Sequence, residues 1–111
     1  METPEELMKE AVKEWGEESQ LDMVIEECAE LIDAIQKRRR GRKGNAEVIE
    51  EGVDVELCLE QLKLIMDNPI LWKNIREEKL SRLEGLLHPH LEEQRCGSKE
   101  RETDAANGEK R

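Results

Sequence analysis

The sequence predicts an all-α, four-helix bundle-like fold followed by a disordered C-terminal tail, and three features carry that prediction. Aromatic residues make up only 2% of the 111 positions, two Trp with no Phe or Tyr, whereas strands favour aromatic and β-branched side chains. The apolar residues are Leu, Ile, Val and Met, and they recur at the three- and four-residue spacings of a helix face. Glycine, proline and cap residues break those stretches into lengths suited to helices.

The first helix is predicted from about Pro4 to Trp15, with Thr3 as N-cap, Pro4 at the first helical position and Glu6 at capping-box spacing. Gly16 interrupts the pattern. A second helix is predicted from Ser19, read as its cap with Asp22 three residues on, to a stop at Gly41. Its basic end, Lys37 to Arg40, complements the negative pole of the helix dipole. Residues 41–44 form a short basic loop, and Asn45 is the predicted cap of a third helix ending at Asn68-Pro69. A fourth helix starts there and stops before His88-Pro89. Residues 92–111 hold no Val, Ile, Leu, Met or aromatic residue, so they cannot bury enough apolar area to offset the entropy of ordering. Residues 1–88 are thus read as one all-α domain and 89–111 as a disordered charged tail.

Lys and Arg total 18 against 28 Asp and Glu, a net charge of -10. Affinity for a phosphate backbone comes mostly from Lys and Arg, so nucleic acid is not the expected partner. No apolar run approaches the roughly 18 residues of a membrane span, and residues 1–20 hold no signal-peptide block. No membrane partner and a cytoplasmic location are expected. Cys28, Cys58 and Cys96 make an odd count without a CxxC pair, which indicates neither a disulfide framework nor a zinc site. In the third helix Val48, Gly52, Val55, Leu59, Leu62 and Met66 form one apolar stripe, and Val53, Leu57 and Leu64 form a second flank. A helix apolar on two sides packs against two neighbours, and a homo-oligomer is expected.

Some acids occupy positions that helical spacing assigns to the inside. Met23, Glu27, Glu30 and Ala34 follow one another at spacings of 4, 3 and 4. In the third helix Glu51, Asp54 and Cys58 flank the apolar stripe. With the two helices antiparallel about the loop at 41–44, Glu27 and Glu30 lie at roughly the level of Glu51 and Asp54. Four converging carboxylates repel one another unless a cation sits between them. Oxygen ligands without His or Cys point to a hard ion, Mg²⁺ first and Mn²⁺ as its substitute. Such an ion bridges phosphate oxygens and promotes attack of water on a phosphoric anhydride. Taken singly, an ExxE spacing is common in so acidic a chain; two pairs on successive helices are the stronger signal.

At these residues the sequence resembles the MazG-like all-α nucleoside triphosphate pyrophosphohydrolases. The family's mark, an ExxE on one helix and an ExxD on the next, is matched by Glu27-Cys28-Ala29-Glu30 and Glu51-Gly52-Val53-Asp54. The surrounding text, WGEESQLDMVIEECAELIDAIQKRRRG and NAEVIEEGVDVELCLEQL, is similar beyond the four acids, so that the likeness covers roughly residues 12–66. It implies hydrolysis of a (deoxy)nucleoside triphosphate to the monophosphate and pyrophosphate, with Glu27, Glu30, Glu51 and Asp54 as catalytic metal ligands. It also implies sites formed between subunits of a homodimer or homotetramer. Under the resemblance Trp15 is placed to stack on the base, Gln20 to bond the base edge, and Lys37 and Arg40 to contact the triphosphate. Each has a plain structural alternative: a hydrophobic lid, a helix start, and a charged helix end. Glu26 and Glu50 are weak candidates for an assisting base. A non-catalytic helical adaptor that keeps this fold is the competing expectation.

Overall fold

The structure, a computed structural model, describes residues 2–90; the predicted tail from residue 91 onward lies outside the described residues. Among the described residues there are four helices and no strand: α1 (Pro4–Trp15), α2 (Glu17–Arg39), α3 (Asn45–Met66) and α4 (Pro69–Leu87). No helix among the described residues is long and apolar enough to cross a membrane. The chain divides into two compact units, Met1–Pro69 and Ile70–Arg111.

The caps explain where the helices of the first unit begin. Thr3 Oγ1 accepts from the Glu6 N–H at 3.1 Å and Glu6 Oε1 accepts from the Thr3 N–H at 2.9 Å, the reciprocal box expected. Two predicted boundaries are corrected. α2 starts at Glu17 rather than at a Ser19 cap, because Gly16 (φ 91°, ψ 152°) turns the chain in one step between α1 and α2. α3 is capped at Gly44 rather than Asn45: Glu47 Oε1 accepts from the Gly44 N–H at 2.9 Å. Asn45 Oδ1 is used instead by Arg38 Nε, at 2.6 Å, which ties the end of α2 to the start of α3 across the loop. Gly41 (φ 77°) makes the turn between them.

α2 packs along α3, and α1 lies against both. On α2, Gln20, Val24, Glu27, Leu31 and Ala34 form one row of buried and half-buried residues at spacings of 4, 3, 4 and 3. On α3 the matching row is Glu51, Val55, Cys58, Leu62 and Ile65. Among the described residues only Ala34 and Cys58 of the apolar ones are buried. The core is therefore a narrow seam, and each helix's row carries an acid among its apolar members. Gly52 is not there for a close helix approach, since a Cβ built on it meets nothing within 4 Å.

α4, taken by itself, exposes Ile70, Leu71, Ile75, Leu80, Leu83, Leu86 and Leu87, with Trp72 half-buried. Lys73 and Glu77 pair at 2.8 Å one turn apart.

Candidate metal centre

The seam between α2 and α3 positions the acids. Glu27 follows Gln20 and Val24 on the inner row of α2. Glu51 and Asp54, three residues apart, project from neighbouring turns of α3 toward it. One carboxylate oxygen from each of Glu27, Glu51 and Asp54 lies within 4.8 Å of the others. All three residues are half-buried. Glu27 Oε1 and Glu51 Oε1 are themselves buried and have no hydrogen-bond partner among the described residues.

Electrostatics record the crowding. Loss of solvent raises the Glu27 carboxyl above its ordinary value, and the charges of Glu30, Asp54, Glu51 and Glu26 raise it further. Glu51 is raised first by loss of solvent, then by the charges of Glu30 and Asp54. Glu30, although exposed, thus stands beside Glu51. Cys58, buried below the acids, is held as a thiol by burial first and by the charges of Glu27 and Asp54 next. Ordinary capping carboxylates behave in the opposite way. Glu47, which accepts from backbone N–H groups at the start of α3, is lowered.

The other predicted site residues are not gathered here. Trp15 ends α1 with 63% of its surface exposed, and Gln20 is buried in the first turn of α2. Lys37 is ten residues beyond Glu27, about 15 Å along the helix axis, and pairs with Asp33 at 3.0 Å. Arg40 is exposed at the C-cap of α2. Glu26 and Glu50 are exposed on the outer faces.

A cleft of about 280 Å³ opens beside the carboxylates. Glu27 and Asp54 form one wall, and Leu7, Met8, Met23, Leu57, Cys58 and Gln61 form the rest. Gln61 escaped the sequence reading because a lone Gln on an acidic helix looks like solvated surface. Its position seven residues after Asp54, two turns along the same face, was the available signal. Comparison with protein-family models, with curated proteins and with solved structures found no match.

Proposed function

We propose that the protein is an Mg²⁺-dependent nucleoside triphosphate pyrophosphohydrolase of the MazG-like kind, converting a (deoxy)nucleoside triphosphate to its monophosphate and pyrophosphate. The supporting observation is the convergence of Glu27, Glu51 and Asp54, with two carboxylate oxygens buried and unpartnered. Buried polar atoms in folded proteins are as a rule hydrogen-bonded, so two orphaned acceptors side by side are a cost that a cation removes. An all-oxygen donor set fits Mg²⁺, with Mn²⁺ as substitute. Glu27, Glu51 and Asp54 would hold the ion, and Glu30 beside Glu51 would complete the set. The ion supplies charge neutralisation of the triphosphate and polarisation of the scissile anhydride.

The chain's own residues contribute placement. Ala34 and Cys58 fix the separation of α2 and α3, and the Arg38–Asn45 bond fixes their register. α1 closes the cleft on one side through Leu7 and Met8. Ile25, Ile32 and Ile49 each expose more than half their surface on α2 and α3, which supports a homo-oligomer. Action on the cytoplasmic nucleotide pool is the setting this reading implies.

The test is incubation of the purified protein with the common ribo- and deoxyribonucleoside triphosphates and Mg²⁺, reading pyrophosphate. At least one substrate should turn over, and Glu27→Ala or Asp54→Ala should abolish turnover while helicity is kept. No pyrophosphate from any triphosphate would leave the adaptor reading standing.

A further inference from the structure

The cleft beside the carboxylates has a composition that the metal centre does not require. Glu27 and Asp54 belong to both, so a molecule whose phosphates lie over the acids reaches the cleft with its other end. Besides Cys58 and Gln61, the remaining walls are the aliphatic side chains of Leu7 and Leu57 and the thioethers of Met8 and Met23. Flat heteroaromatic rings suit such walls, because thioether sulfur is polarizable and makes favourable contact with ring edges. Apolar walls with a few placed polar groups are the usual make-up of a small-molecule site.

Among the lining residues Gln61 has the one neutral amide, and that amide makes no hydrogen bond to a described residue. It offers both an acceptor and two donors. An amide of this kind matches a ring edge on which an acceptor neighbours a donor, the arrangement every nucleobase presents. We propose that this cleft receives the nucleobase of the triphosphate and that Gln61 reads the base's hydrogen-bonding edge. The inference rests on the pyrophosphohydrolase reading and adds to it a specificity-determining residue.

The experiment has two readouts on wild type, Gln61→Ala and Gln61→Glu. The first is kcat/KM across the nucleoside triphosphates with Mg²⁺. The second is the calorimetric Kd of non-hydrolysable α,β-imido triphosphates, with inorganic tripolyphosphate as the ligand without a base. Wild type should prefer one base, and Gln61→Ala should lower kcat/KM and raise the analogue's Kd for that base by about tenfold, the size of one well-placed hydrogen bond. Differences between bases should then shrink to within about threefold, while tripolyphosphate binding is unchanged. Gln61→Glu, equal in size but without donors, should reorder the bases rather than level them. The inference is overturned if wild type treats all bases alike, if Gln61→Ala keeps the base ranking, or if it weakens tripolyphosphate equally. If wild type turns over no triphosphate at all, the pyrophosphohydrolase reading fails first and visibly, and this inference falls with it.

Discussion

Glu27 on α2 and Glu51 on α3 face each other across the seam, each with a buried Oε1 that no described residue hydrogen-bonds, and Asp54 completes a trio within 4.8 Å. Both facing carboxyls sit above their ordinary value near 4.5. The sign of the pH dependence follows. An acid raised on folding binds its proton more tightly in the native state, so the stability it contributes is full below the unfolded value and is lost as pH rises through the folded one. Without metal, the melting temperature should fall as pH rises above about 4.5. Ligation needs the deprotonated carboxylates, so Mg²⁺ should raise the melting temperature at pH 7.5 and far less at pH 4.5. Thermal melts in Mg²⁺ and in EDTA at the two pH values check this, and coincident curves at pH 7.5 would count against a metal centre.

Neutralising one acid should separate stability from function. In Glu51→Gln the side chain keeps its size while the repulsion with Glu30 and Asp54 disappears. In EDTA the variant should melt a few degrees above wild type, and the rise on adding Mg²⁺ should shrink or vanish. Pyrophosphate release should drop by about 100-fold or more, on the scale of losing a group that stabilises developing charge. A variant that melts below wild type in EDTA would show that Glu51 is a structural acid.

The helices and the acidic trio were legible in the sequence because each rests on a local or periodic signal. The box of Thr3 and Glu6 and the break at Gly41 are spelled out within a few residues, and the ExxE and ExxD spacings put acids on inner faces. Exposure was harder to read. The spacing Met23, Glu27, Glu30, Ala34 placed Glu30 inside, whereas the packed row runs through Gln20, Val24, Glu27, Leu31 and Ala34 and leaves Glu30 exposed. Adjacent rows on a helix differ by a fraction of a turn, and only the partner helix selects between them. Helical spacing puts Gln61 on the face of Asp54, but the cleft it lines is completed by Leu7 and Met8 of α1, a long-range relation that spacing does not encode.

Ala34 is 1% exposed on the row that meets α3. Substitution by Leu adds volume where none is free, at a cost of about 1–3 kcal/mol. For a domain of this size the melting temperature should drop by about 4–8 °C per kcal/mol. Ala34 lies one turn beyond Glu30, so a wedge there also separates α2 from α3 near the carboxylates. Ala34→Leu should therefore lose the Mg²⁺-dependent rise in melting temperature as well as stability. Retention of that rise would mean the acids are positioned independently of the seam.

The exposed isoleucines bear on assembly. Ile25 and Ile32 are seven residues apart on one face of α2 and are 67% and 58% exposed. A monomer leaves that face in water, whereas a homo-oligomer buries it. Sedimentation equilibrium should give a dimer or tetramer for wild type and a smaller species for Ile32→Glu. A monomeric wild type at micromolar concentration would refute the subunit packing.

Two glycines should respond to the same substitution with opposite sign. Gly16 holds φ 91° and ψ 152° between α1 and α2. A Cβ there meets nothing within 4 Å, so any penalty comes from the backbone conformation alone, about 1–3 kcal/mol. Gly52 lies inside α3, and its added Cβ also has open space. There Ala gains helix propensity and should stabilise by about 0.5–1 kcal/mol. Gly16→Ala should thus lower the melting temperature and Gly52→Ala should raise it. Because Gly16 directs α1 back across the hairpin, its variant should also lose hydrogen-exchange protection in α1 ahead of α2 and α3. Equal effects from the two substitutions would break the link between this turn and the placement of Leu7 and Met8 at the cleft.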